Sequence, residues 1–177
     1  MKIKVGNILE EGTDFRFSQE GNKFLELLPD NEAVGFSLHR VAVICFAKKV
    51  RSTVSLQVNL DTSVDLDCSR CLEPVTYPIK AAFAYTLVPE ESGIGEEDLS
   101  ISDEDLNVGY YREDLIALDA LVLEQIILQI PIKPLCKEDC KGLCPHCGAN
   151  LNTAACGCGT DVIDHRFVAL KNFKVAK

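Results

Sequence analysis

Eight of the nine cysteines in this chain fall into four closely spaced pairs, and no other feature limits the fold so tightly. Cys68 and Cys71 stand mid-chain. Cys136 and Cys140, Cys144 and Cys147, and Cys156 and Cys158 crowd one stretch towards the C-terminus. Pairs at such spacing point to metal or redox chemistry in a reducing compartment, not to the disulfide framework of an exported domain. From Pro131 onward the chain is also short of large apolar residues. That segment is too small to build a core of its own and needs a staple.

The strongest unit is Cys144-Pro145-His146-Cys147-Gly148. Two thiolates separated by two residues can face one tetrahedral ion from a tight turn. The following glycine lets backbone N–H groups turn towards the sulfurs. A closed structural zinc site takes four ligands, and Cys156 and Cys158 supply the second pair, with Gly157 relieving the crowding between them. His146 is read as a solvated turn residue. A redox pair would sit at the start of a helix after a strand, and this tail has no such frame. Upstream, Cys68-Ser69-Arg70-Cys71-Leu72 precedes Glu73-Pro74 and is placed at a strand-ending turn. With Cys136 and Cys140 it would complete a second set of four ligands. Spacing alone equally allows Cys136 and Cys140 to join the tail site or to bind nothing. Cys45, inside Val43-Ile44-Cys45-Phe46, is read as a small buried hydrophobe.

The first 90 residues read as strands. Phe15-Arg16-Phe17 and Lys23–Leu27 flank Gln19-Glu20-Gly21-Asn22, which predicts a hairpin. Val34–Ala47 is rich in Val, Ile and Phe, and Val50–Leu60 alternates with Val50, Val54, Leu56, Val58 and Leu60 on one face. Residues 63–67 and 75–88 continue in this mode. Residues 89–105 are acidic and carry glycine, which predicts a solvated connector. One helix is expected from about Arg112–Asp114, where acidic residues suit a helix start, to Pro131, which ends it. The expected fold is α+β: a curved antiparallel β-sheet or a partly open β-barrel packed by one main helix. Residues 1–130 form that domain and residues 131–177 a small zinc-binding tail.

Charge is uneven. The net value is −9, from 18 Lys+Arg and 27 Asp+Glu. Residues 1–130 carry 11 basic and 23 acidic side chains (−12), against 7 and 4 (+3) in residues 131–177. A globally acidic chain gains little from non-specific attraction to nucleic acid, so any RNA contact is local. The start, Met1-Lys2-Ile3-Lys4-Val5-Gly6, lacks the pattern of a secretory signal, and the apolar stretches are too short or too interrupted to span a bilayer. The expected location is the cytoplasm.

Three groups of residues, in order, resemble one family. The first is Cys68-x-Arg70-Cys71-Leu72-Glu73-Pro74 after a β-rich half. The second runs from Cys136-x-x-x-Cys140-Lys141-Gly142-Leu143-Cys144-Pro145-x-Cys147-Gly148-x-Asn150-Leu151-Asn152 to Cys156-x-Cys158. The third is Asp164-His165-Arg166 with Ala169-Leu170, where the family usually has proline in place of His165. Together they are similar to the bacterial YceD family, the large ribosomal RNA subunit accumulation proteins. The resemblance implies a role in accumulating 23S ribosomal RNA during large-subunit assembly, and no enzymatic activity. Some members lack most of the tail cysteines while keeping the upstream pair, which implies that Cys68, Arg70 and Cys71 lie nearer the shared function.

On that reading the partners are ribosomal RNA or a basic large-subunit ribosomal protein, with no membrane and no small-molecule substrate. Arg70, Lys48, Lys49, Arg51 and Lys141 are the main candidates for RNA contact. Arg40, Lys133 and Lys137 are further ones, since such side chains neutralise phosphates. The acidic half would suit a basic protein. Two other classes compete. A metal-dependent enzyme would need an open metal position, but the chain has no HExxH, no phosphate-binding glycine loop and only His39, His146 and His165. A zinc- or thiol-responsive regulator is permitted by the cysteine density, although nothing in the sequence requires it.

Overall fold

A computed structural model of the chain describes residues 1–28, 35–90 and 108–159. Its centre is a long hairpin. Strand β5 (Thr53–Asp67) pairs antiparallel with β6 (Pro74–Pro89), from Val54↔Leu87 to Asp67↔Pro74. Along β5, Val54, Leu56, Val58, Leu60, Val64 and Leu66 all point inward and are buried. The two-residue period of a strand keeps that face apolar over its whole length. Cys68 continues the same phase one step past the strand and has no solvent exposure (0%).

β4 (Val41–Val50) lies against the other side of β5, and β2 (Thr13–Gln19) against β4, both antiparallel. β3 (Phe36–Leu38) continues the cover along the far part of β5, pairing with Val64–Leu66. On the opposite side of the hairpin, β7 (Val108–Tyr111) runs parallel to β6. The six-stranded sheet is therefore mixed, not wholly antiparallel as expected. Among the described residues its two outer strands, β2 and β7, do not meet, so the sheet is open and no barrel closes. A small second sheet joins β1 (Lys2–Lys4) to β8 (Leu115–Ala117).

The short helix α1 (Asn22–Leu25) and the main helix α2 (Leu118–Gln129) complete the layers. Leu118, Val122, Leu123 and Ile126 of α2 are buried in the same core as the inner faces of β4 and β5. Cys45 lies in that core at 0% exposure, and burial pushes its thiol up to about 11, as befits a packing residue.

Three local expectations fail for identifiable reasons. Gln19–Asn22 is not a hairpin turn. Gly21 sits so close to the Leu38 carbonyl that an added Cβ would lie 2.0 Å from it, and the chain instead enters α1, which buries Phe24. The alternating run Val50–Leu60 is broken by a turn, because Arg51 adopts φ +56° and Val50 pairs with Thr53. The helix also starts later than expected. Glu113 (φ +50°) and Asp114 (φ +59°) form a two-residue turn, closed by the Arg112↔Leu115 bridge, with both φ values positive. Those acids shape a strand reversal rather than a helix start, and β8 precedes α2. The expected connector at 89–105 and the ending from Asp164 to Leu170 fall mostly or wholly outside the described residues.

Candidate metal centres

The β5–β6 turn is built to present sulfur. The N–H of Cys68 donates to the Glu73 carbonyl (2.9 Å), and the N–H of Leu72 donates to the Cys68 carbonyl (2.9 Å). Leu72 takes φ +59°, a backbone conformation that costs energy for a residue with a Cβ. The turn that results directs Cys68 and Cys71 to one side. The tail segment then crosses this turn. Ser69 N–H donates to the Pro134 carbonyl (2.8 Å), and Leu143 N–H donates to the Arg70 carbonyl (3.1 Å).

These contacts bring Cys136 and Cys140 onto Cys68 and Cys71. The four sulfurs lie within 4.8 Å of one another, with Cys68–Cys140 at 3.8 Å and Cys71–Cys136 at 3.6 Å. Disulfide sulfurs would be about 2.0 Å apart. Four sulfurs placed about 2.3 Å from a tetrahedral ion lie about 3.8 Å from each other, which matches the observed separations. Cys68, Cys71 and Cys140 are buried, and Cys136 is at the surface with its sulfur facing the other three.

The second cluster lies within the tail. Cys144, Cys147, Cys156 and Cys158 also bring their sulfurs within 4.8 Å of one another. The Leu143↔Asn150 bridge closes the Cys144–Cys147 knuckle, where Cys144 N–H donates to the Ala149 carbonyl (2.8 Å) and Gly148 N–H to the Cys144 carbonyl (2.9 Å). Gly148 holds φ +72°, the role expected of the glycine after the second cysteine. Here only Cys144 is buried, and Cys147 is exposed. His146 is exposed too and does not belong to either cluster.

The electrostatics of the two clusters agree with their geometry. The backbone N–H of Arg70, helped by those of Cys136 and Cys71, holds the Cys68 thiol down to about 6. The N–H groups of Cys147 and His146 do the same for Cys144, also to about 6. Their neighbours move the other way. Cys136 is pushed up to about 12 by burial of its sulfur and by the other three thiols, and Cys158 up to about 12 by Cys147 first and then by burial. Four thiolates this close repel one another unless a cation sits among them. Both donor sets are thus suited to holding a metal ion, and the all-sulfur composition suits a closed structural site.

Arg70 has a second task. Its guanidinium donates to the Cys140 carbonyl (2.8 Å) and to the Glu138 carbonyl (3.4 Å), clasping the tail to the turn. Lys141 joins it at this end of the hairpin. Lys48, Lys49 and Arg51 lie elsewhere, at the end of β4 and in the β4–β5 turn. The length of β5, roughly 45 Å at about 3.3 Å per residue, separates the two groups. The structure therefore does not gather the five basic residues into one patch. Sequence reasoning also assigned no role to Asn150, Asn152 and Glu73. The Asn150 amide donates to Glu73 Oε1 (3.2 Å) and the Asn152 amide to Cys140 Sγ (3.3 Å). Asparagines directly after a cysteine knuckle are the available signal for such a role.

The family model for the large ribosomal RNA subunit accumulation protein YceD matches residues 56–174. This range takes in most of the central hairpin and both cysteine clusters. The chain belongs to the YceD family. An Arabidopsis thaliana relative named large ribosomal RNA subunit accumulation protein YCED homolog 1, chloroplastic, is 29% identical over 201 residues, covering 98% of this chain and 59% of the relative. The Zea mays protein of the same name is 30% identical, covering 61% of this chain and 45% of its own length. An uncharacterised Mycobacterium tuberculosis protein is 32% identical over 85 residues, covering 48% of this chain and 39% of the relative. The chain thus spans between 39% and 59% of the length of these relatives. No solved structure matches. Among the described residues, no helix is long and apolar enough to cross a membrane.

Proposed function

We propose that this chain is a non-enzymatic factor in large ribosomal subunit biogenesis, and that it supports accumulation of 23S ribosomal RNA through contacts with RNA or with a basic ribosomal protein. The observation that carries the proposal is membership of a family described by large-subunit ribosomal RNA accumulation, with the match running through the cysteine-bearing end of the hairpin. The site chemistry favours binding over catalysis: each cluster offers four thiolates to one ion and leaves no protein-free position for substrate. In this reading both clusters hold Zn²⁺. The first pins residues 131–143 to the β-domain, and the second braces the tail beyond it. The protein works in the cytoplasm, beside the assembling subunit.

Lys48, Lys49 and Arg51 are candidates for RNA contact, and none of them is engaged in an ion pair among the described residues. Arg70 and Lys141 contribute at the opposite end, where Arg70 also holds the tail. The decisive experiment depletes the protein from its own cell and measures 23S against 16S ribosomal RNA, with rescue by wild type, by a Cys68→Ser/Cys71→Ser variant and by a Lys48→Glu/Lys49→Glu/Arg51→Glu variant. The expected result is a fall in 23S RNA that wild type restores and the variants do not. An unchanged RNA ratio on depletion would overturn the proposal. In-cell crosslinking before and after ribonuclease then separates an RNA partner from a protein one.

A further inference from the structure

The two cysteine clusters are not independent in space. Asn152 lies in the sequence between Cys147 and Cys156, inside the loop that belongs to the second cluster. Its side chain, however, serves the first. The Asn152 amide donates to Cys140 Sγ (3.3 Å) and to Asn150 Oδ1 (2.9 Å), and its Oδ1 accepts from the Lys141 N–H (2.9 Å). Asn150 in turn donates to Glu73 of the β5–β6 turn (3.2 Å). Leu151 N–H donates to the Gly142 carbonyl (2.9 Å), beside the Leu143 N–H bond to Arg70. Gly142 holds φ +74°, and an added Cβ there would come within 3.0 Å of the Arg70 carbonyl. Only three residues, Lys141, Gly142 and Leu143, separate the last ligand of one cluster, Cys140, from the first ligand of the other, Cys144, and hydrogen bonds tie this segment both to Arg70 and to residues 151–152.

We infer that Asn152 is a positioning residue for the Cys68/Cys71/Cys136/Cys140 site, and that through it the two metal ions bind cooperatively. This rests on the reading that both clusters hold metal. Filling the second site fixes the Cys144–Cys156 loop and delivers the Asn152 amide to Cys140, where its N–H stabilises the thiolate form that a metal ion requires. Filling the first site fixes Cys140 to Leu143 and so orders the knuckle of the second. Coupling of this kind is reciprocal: each ion must strengthen the other by the same factor.

The test is cadmium-113 titration of the full chain, reduced and metal-free, in which each four-sulfur site contributes its own resonance, combined with chelator competition for each site. In wild type the two resonances should rise together before two equivalents are added. Cys147→Ser/Cys158→Ser should weaken the first site by about tenfold or more, the scale for losing a group that orients a metal ligand. Cys71→Ser/Cys136→Ser should weaken the second site by the same factor. Asn152→Asp keeps the acceptor for Lys141 but replaces the donor to Cys140 with an anionic oxygen. It should shift the first site's resonance and weaken that site, whereas a purely structural asparagine would leave the resonance in place. Sites that fill one after the other, each indifferent to removal of its neighbour's ligands, overturn the inference while leaving two metal sites standing. A wild-type chain that takes up fewer than two ions overturns the underlying metal assignment instead.

Discussion

Extraction of metal should divide the molecule in two. The buried residues of the apolar core come from residues 3–126, chiefly the strands and the two helices, and include none of the eight clustered cysteines, so the β-domain does not depend on those clusters. Among the described residues, the tail has no comparable apolar support. Leu135 and Leu143 are, among the described residues, the only tail side chains that serve as partly buried apolar neighbours of the first cluster. The remaining attachments among the described residues are hydrogen bonds: Ser69 to Pro134, Leu143 to Arg70, the Arg70 clasp on Cys140 and Glu138, and the Asn150–Glu73 contact. At about 1 kcal/mol net for each, these supply on the order of 5 kcal/mol. A structural zinc site is worth roughly 10–16 kcal/mol at neutral pH, so on the proposed reading an ion held by Cys68, Cys71, Cys136 and Cys140, the cluster that bridges turn and tail, dominates the attachment. Under reducing conditions, a strong chelator should leave amides of residues 136–159 exchanging like those of a free peptide. Amides in β4 and β5 should keep their protection, and exchange resolved along the chain separates the two regions. Undiminished protection of the tail after complete metal removal would refute the reasoning, because protein contacts alone would then be holding it.

Further predictions test the scaffold around that site. Leu56→Ala, at a side chain with 0% exposure near the start of β5, should cost about 2–5 kcal/mol, read from the urea midpoint at unchanged slope. Gly142→Ala forces a Cβ into a left-handed backbone position against the Arg70 carbonyl. It should cost at least about 1 kcal/mol and raise the rate of zinc release to a chelating dye. Hydrogen bonds from Thr76 first, then from His39 and Ser37, hold the Asp65 carboxyl below its ordinary value. Its native value thus lies below its unfolded one, so its contribution to stability is present above about pH 4 and is lost as pH falls through the native value. Asp65→Asn should therefore flatten the acid limb of a stability-versus-pH curve, and an unchanged limb would count against the bond network.

The two sheets and the helix show where local pattern was enough and where it was not. Inward-facing residues of β5 follow the two-residue period, and the main helix is visible in the spacing of Leu118, Val122 and Ile126. Both signals are carried by neighbours in sequence. Turn types were harder to read. Glu113 and Asp114 have the chemistry of a helix start, but pairing of β8 with β1, more than a hundred residues away, draws them into a reversal with two positive φ values. The parallel placement of β7 beside β6 is likewise a matter of long-range pairing, which no local pattern encodes.

The metal sites divide in the same way. Sequence alone determined that the cysteines pair off locally, because one to three intervening residues limit how far apart the sulfurs of a pair can lie. It also offered Cys156 and Cys158 as partners of the Cys144–Cys147 knuckle, while spacing left Cys136 and Cys140 open as alternatives. Only the tertiary structure decided that Cys136 and Cys140 face Cys68 and Cys71, across 65 and 72 residues, rather than the nearer cysteines. Nothing in a spacing specifies a contact over that distance. It is created where the end of β5 carries Cys68 into the buried phase of the strand and the turn beyond it receives the tail backbone through Ser69 and Arg70.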